Sequence, residues 1–89
     1  MILLHFHDGR SRETASVLED VLRGFPGGLT LVNVNADRRP TLAAWYAVRS
    51  LPTVLFVRDG EIVDRVIGPP SRALLQSMLA ARAPRPRAA

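Results

Sequence analysis

The first residues that could support chemistry are His5, His7 and Asp8, at the end of a short apolar run. The run from Ile2 to Phe6 is typical of a buried strand, in which positions 5 and 7 point to the same face. Two imidazoles with a carboxylate beside them could hold a metal ion, so His5 and His7 are candidate metal ligands. Alternatively, His5 is a buried polar group with a hydrogen-bond partner. We predict no metal and no other cofactor from this pattern.

The segment from Asp8 to Ser11 then leads into a predicted helix. The simplest role for Asp8 is a helix N-cap, with Ser11 supporting the same turn. A different interpretation combines His7, Arg10 and Arg12 with the helix N-terminus as a site for a carboxylate or phosphate. The negative charge of Asp8 opposes that interpretation.

Composition excludes several classes of function. The 89 residues contain no cysteine, which excludes disulfides, thiolate metal sites and cysteine nucleophiles. All basic residues are arginines and the formal net charge is +4, but they are scattered, and no nucleic-acid-binding motif is present. Since no apolar run could span a bilayer and no signal-type segment opens the chain, we expect no membrane contact and a cytoplasmic protein.

The periodicity of the apolar residues predicts the elements that position these groups. A helix follows from about residue 11 or 14 to Leu22, a strand from Leu29 to Val34, and a helix over 40–47 capped by Asp37. Ser71 is a natural N-cap for a last helix over 72–82. We expect a domain over residues 1–83 and a disordered Arg/Pro tail over 84–89.

A β-hairpin is predicted between these helices. Pro52 stands where a strand can begin without an N–H group, and an apolar β-branched run follows it. Asp59-Gly60 then turns the chain back into a second apolar run. The predicted order of elements is β-α-β-α-β-β-α.

This hairpin and the residues before it resemble the thioredoxin family. Residues 46–53 read Tyr-Ala-Val-Arg-Ser-Leu-Pro-Thr, where the family has Tyr-Gly-Ile-Arg-Gly-Ile-Pro-Thr, and the second strand ends in Val66-Ile67-Gly68. The resemblance implies a thioredoxin-like three-layer α/β fold, a four-stranded mixed sheet with helices on both faces. It also implies a cis Leu51-Pro52 peptide, beside which the backbone of the preceding residue pairs with an extended peptide.

The resemblance ends where the family carries Trp-Cys-Gly-Pro-Cys-Lys. Here Asp8, Gly9, Arg10 and Ser11 occupy the degenerate active-site positions, with Asp8 and Ser11 in place of the cysteines. Thiol-disulfide exchange requires a thiolate and a leaving sulfur, so we predict no dithiol oxidoreductase activity and no catalytic residue.

The leading functional hypothesis is a redox-inactive module that binds a peptide or protein partner. The residues expected to contact that partner are Leu51, Pro52 and Thr53, with Trp45 or Tyr46. One alternative is a small protein or enzyme that binds glutathione or another anion at Asp8 to Ser11. Another is a homodimer that covers its aromatic residues by self-association.

Overall fold

The computed structural model describes residues 1–10, 12–25 and 27–82. Ser11 and the predicted tail over 84–89 lie outside the described residues. The order of the elements confirms the predicted β-α-β-α-β-β-α arrangement. In chain order they are β1 (Ile2–His7), α1 (Arg12–Arg23), β2 (Thr30–Asn35), α2 (Pro40–Trp45), β3 (Thr53–Arg58), β4 (Glu61–Ile67) and α3 (Arg72–Arg82).

The four strands form one mixed sheet in the order β2-β1-β3-β4. Strand β1 runs parallel to β2 and antiparallel to β3, and β4 is antiparallel to β3. The parallel pair is joined through α1, as a crossover connection requires. The expected four-stranded mixed sheet is therefore confirmed.

One face of the sheet carries the larger core, beneath α1 and α3. Every second side chain of a strand points to this face, and so do helix side chains three or four residues apart. The apolar residues at these spacings form the core. The buried members are Leu3, Val54, Phe56 and Val66 from the sheet, Leu18 and Val21 from α1, and Leu75 and Leu79 from α3. Thus α1 and α3 together cover this face.

The opposite face packs against the much shorter helix α2. Its buried residues are Phe6, Val34, Leu55 and Val57 from the strands and Ala43 from the helix. Helix α2 ends at Trp45 and begins after Arg39, which makes no side-chain cap bond. The predicted Asp37 cap is wrong, because Asn35 Oδ1 instead accepts the N–H groups of Asp37 and Arg38 in a turn ahead of the helix.

Two local predictions are confirmed by backbone geometry and hydrogen bonding. Asp59 and Gly60 have φ values of 53° and 79°, the left-handed pair that a two-residue hairpin turn requires. The Ser71 hydroxyl oxygen accepts the Leu74 N–H at 3.0 Å, as an N-cap should.

Within the described part of the chain, no helix has the length and apolar character needed to span a bilayer.

Candidate functional site

A groove of about 540 Å³ lies where the end of β1, the start of α1 and the loop before β3 meet. Its walls combine two apolar residues with charged side chains of both signs. The lining residues are His7, Asp8, Arg10, Arg12, Glu13, Leu51 and Pro52. The fold thus brings the degenerate active-site loop next to the proline loop, although Asp8 and Leu51 are more than forty positions apart in the sequence. We call this cavity the Leu51 groove.

The loop between β1 and α1 is held by short-range hydrogen bonds. Gly9, at a φ of +86° that favours glycine, donates its N–H to His7 Nδ1 at 3.0 Å. Asp8 Oδ1 accepts the Arg10 N–H at 2.9 Å. Among the described residues this carboxylate bonds to the loop, and α1 begins only at Arg12, so the predicted role of Asp8 as the helix N-cap is wrong.

The proline loop presents one residue to solvent and buries the next two. The Leu51-Pro52 peptide is cis, and the Pro52 carbonyl accepts the Gly68 N–H at 2.8 Å. Thr53 is only 1% exposed, and its hydroxyl donates to the Ser50 carbonyl at 2.7 Å. The side chain of Thr53 therefore does not line the groove, because position 53 is already the first residue of the central strand β3.

Leu51 is 36% exposed, whereas Pro52 and Thr53, which follow it, are buried. Across residues 1–10, 12–25 and 27–82, its backbone N–H and C=O form no hydrogen bond. Since backbone polar groups are nearly always paired in folded proteins, these two groups remain available to pair with another chain.

The two aromatic residues of the α2 end lie at a separate cavity. Trp45 is 81% exposed, whereas the Tyr46 ring packs 5.9 Å from the ring of Phe6, measured between centroids. The cavity beside them, of about 500 Å³, also has two arginines and an apolar helix face in its walls. It shares no lining residue with the Leu51 groove. The predicted grouping of Trp45 and Tyr46 with the proline loop is therefore not observed.

His5 and His7 do share a face of β1, with ring centroids 5.2 Å apart. His5 is 1% exposed, and its Nδ1 lies 2.8 Å from Asn33 Oδ1 on the paired strand β2. Burial of the ring lowers the pKa of His5 below 6.5, outweighing the bond to Asn33, which raises it. His5 is thus a neutral, hydrogen-bonded core residue.

Asp8, which could have joined His5 and His7 at a metal, does not do so among the described residues. In the described segments, no group of three or more His, Asp or Glu side chains could hold a metal ion, so Asp8 does not complete a site with the two histidines. The partner that sequence reasoning missed is Asn33. Its signal was a polar side chain in a predicted strand whose parallel register places it beside His5.

A family profile and individual relatives of known sequence point to the same family. The family profile described as Thioredoxin matches residues 8–81. A thioredoxin of Porphyra purpurea is 35% identical over 71 residues, covering 80% of this chain and 66% of the algal protein. A chloroplastic M-type thioredoxin of Zea mays is 34% identical over 71 residues, covering 80% of this chain but 42% of the maize protein.

Solved structures support the same fold. A malaria parasite thioredoxin-2, described as a component of the parasite's protein secretion machinery, superposes with a TM-score of 0.83 at 19% identity. The superposition covers 91% of this chain and 82% of the parasite protein. At this identity the likeness concerns the fold alone.

Proposed function

Since the chain belongs to the thioredoxin family, we propose that it is a redox-inactive member that binds an extended peptide or protein segment in the Leu51 groove. The observation that carries this proposal is the exposed backbone of Leu51, whose N–H and C=O have no partner in the described chain. An extended segment could pair with both groups, as in other cases of strand addition.

The walls of the groove suggest what such a segment would contain. Leu51 and Pro52 supply an apolar floor, which suits an apolar side chain beside the paired backbone. The groove also has positive side chains, Arg10 and Arg12, and negative ones, Asp8 and Glu13. It therefore favours a segment that carries charges of both signs over a segment whose charges all have the same sign.

Redox inactivity follows from chemistry that this sequence lacks. Disulfide exchange passes through attack of a thiolate on a sulfur, with a second sulfur leaving. The chain has no cysteine, and the loop that borders the groove offers Asp8 and Arg10 instead. We therefore assign the groove to binding without turnover.

The test is selection from a displayed library of short peptides, followed by NMR titration of the isolated binders. Wild-type protein is compared with Leu51→Arg, which places a long charged side chain at the mouth of the groove. Ile62→Arg is the matched control, because Ile62 is 41% exposed and lies at the far end of β4, next to the hairpin turn. We expect binders to lose affinity for Leu51→Arg and to retain it for Ile62→Arg.

The Leu51 amide proton gives the decisive signal. Binding by strand addition should move its resonance downfield and slow its exchange with solvent. Peptides that bind Leu51→Arg as well as wild type, or that leave the Leu51 amide unchanged, would refute groove binding. Titration with glutathione alone tests the small-molecule alternative, which predicts shifts at Gly9 and Arg10 without any peptide.

A second candidate function is protein contact or self-association through Trp45. The observation in its favour is the 81% exposure of an indole, a side chain that usually buries most of its surface. Sedimentation at increasing concentration tests whether two copies associate. A homodimer through this surface requires that Trp45→Ala remain monomeric where wild type dimerises, and a monomeric wild type at high concentration removes it.

A further inference from the structure

The cavity at the end of α2 combines positive charge with exposed apolar surface. It has a volume of about 500 Å³, and its walls come from the residues just ahead of α2 and from α2 itself. Two cations and four apolar or aromatic side chains line it: Arg38, Arg39, Pro40, Leu42, Trp45 and Tyr46. Among the described residues its walls contain no carboxylate, whereas those of the Leu51 groove contain two. We call it the Trp45 cavity.

Arg38 and Arg39 give this cavity two positive charges that the rest of the fold does not neutralise. Both residues are exposed, and neither guanidinium forms an ion pair or a hydrogen bond within residues 1–10, 12–25 and 27–82. Asp37 precedes them in the sequence, but it does not line the cavity. These two charges are therefore available to a partner that carries the opposite charge.

The backbone of this surface is held at both ends of α2. Ahead of the helix, the Arg38 and Arg39 N–H groups donate to the Asn35 carbonyl at 3.2 and 2.9 Å. Behind it, the Arg65 guanidinium donates to the Tyr46 carbonyl at 3.0 Å. Because this backbone is already fixed in the free chain, a partner meets little of the entropic cost of ordering it.

The residue types at the cavity are those that dominate binding between proteins. Trp, Tyr and Arg are enriched among the interface positions whose truncation costs the most affinity. Here the Trp45 indole is 81% exposed, and Leu42 lies three positions before it, along the same side of α2. An apolar side chain of a partner can pack on this surface while neighbouring carboxylates pair with the arginines.

We propose that the Trp45 cavity binds an acidic protein segment, in which an apolar side chain is flanked by carboxylates. The proposal rests on protein contact through Trp45, the second candidate function above, and adds the chemistry of the partner. A second copy of the chain fits less well, because two chains with a formal net charge of +4 repel each other. Single-stranded nucleic acid also fits less well, since successive bases stack on several aromatic rings and Trp45 is the one mostly exposed ring among the described residues.

The experiment is a titration of the full chain with a short blocked peptide, Glu-Glu-Leu-Glu-Glu. Trp45 is the single tryptophan of the sequence, so its fluorescence reports on this cavity directly. We expect the emission to move to shorter wavelength as the peptide displaces water from the indole. The neutral analogue Gln-Gln-Leu-Gln-Gln and the analogue Glu-Glu-Ser-Glu-Glu should each bind at least about ten-fold more weakly, because each lacks one of the two kinds of contact.

Ionic strength provides an independent measurement of the charge contribution. Raising it from about 0.01 to about 0.15 M shortens the Debye length from about 30 to about 8 Å. The affinity of the acidic peptide should therefore fall across this range, and that of the neutral analogue should stay the same. An acidic peptide that binds no better than the neutral one, or whose affinity ignores salt, overturns the proposal.

Two double variants separate contact from general attraction. Arg38→Gln with Arg39→Gln should weaken binding of the acidic peptide at least about ten-fold. Arg72→Gln with Arg82→Gln removes the same charge from α3, on the other face of the sheet, and should change the affinity by less than about two-fold. An equal loss in the two double variants would mean general attraction and would contradict the assigned site.

NMR of the ¹⁵N-labelled wild type distinguishes this proposal from binding in the Leu51 groove. The acidic peptide should move the Trp45 indole N–H and the Arg39 amide resonances and leave the Leu51 amide in place. Shifts at Leu51 alone would overturn the present proposal while supporting the groove. Equal binding of the neutral peptide at Trp45 would overturn the acidic preference but leave protein contact through Trp45 standing. An oligothymidylate that binds there more tightly than the acidic peptide would overturn the choice of a protein partner.

Discussion

Replacing Asn33 by alanine should lower the free energy of unfolding by about 1–3 kcal/mol. The reason is the 2.8 Å bond from His5 Nδ1 to Asn33 Oδ1, which within residues 1–10, 12–25 and 27–82 is the one hydrogen bond of a ring that is 1% exposed. Asn33 itself is exposed, so truncating its side chain leaves little unfilled core volume. The cost therefore comes from leaving a buried N–H without an acceptor, a loss that a chain of this size would show as a fall in Tm of roughly 4–8 °C per kcal/mol.

A double-mutant cycle isolates that cost. Replacing His5 by leucine removes both buried nitrogens together, and exchanging a buried polar pair for apolar groups is often nearly neutral. In the His5→Leu background, Asn33→Ala should then change the free energy of unfolding by less than about 0.5 kcal/mol, as for an ordinary surface substitution. The difference between the two backgrounds is the coupling energy of the pair.

The assay is urea unfolding at neutral pH. The midpoint and the m-value are both fitted, since a changed m-value would mean a changed denatured state. If Asn33→Ala costs the same in wild type and in His5→Leu, the bond does not stabilise the fold, and the reasoning from burial is refuted.

Three further predictions concern separate parts of the fold. Because the folded pKa of His5 lies below 6.5, the unfolded chain binds more protons as the pH falls, so stability decreases from about pH 6.5 down to the folded pKa. Urea midpoints across this range should show the decrease in wild type and a shallower one in His5→Leu; identical slopes would exclude His5 as its source. Phe56→Ala should cost about 3–5 kcal/mol, because the ring is fully buried beneath α1 and α3, and a loss under 1 kcal/mol in urea unfolding would contradict that packing. Ser71→Ala should cost about 1 kcal/mol through loss of the cap of α3, measured by thermal unfolding with Ser77→Ala as the exposed control within the same helix.

Local sequence signals predicted the elements well. The Asp59-Gly60 pair, the Ser71 cap and the alternating apolar runs each specify structure through neighbouring residues, and the structure has all of them. The element order followed from these signals, and the resemblance of residues 46–53 to the family supplied the sheet topology. Such features could be predicted because their causes lie within a few residues of one another.

The candidate site depended on contacts between distant segments, and here the predictions were less complete. The bond from His5 to Asn33 requires the parallel register of β1 and β2, which no local pattern specifies. The burial of Thr53 and the separation of Trp45 from the proline loop depend on how α2 and β3 pack against the sheet. Asp8 was assigned to the helix because its side chain can cap one, but the helix begins four residues later.

The strand order also constrains how the chain can assemble as it is synthesised. Strand β1 is made before the other three strands and lies inside the sheet, between β2 and β3. Its pairing with β2 can form once residues up to 35 exist, but its other edge stays open until residues 53–58 have been added. Until then the apolar side chains Leu3 and Phe6 lack most of their packing partners. The early β1-α1-β2 unit therefore exposes an unpaired strand edge, the kind of surface on which nascent chains associate with one another or with chaperones.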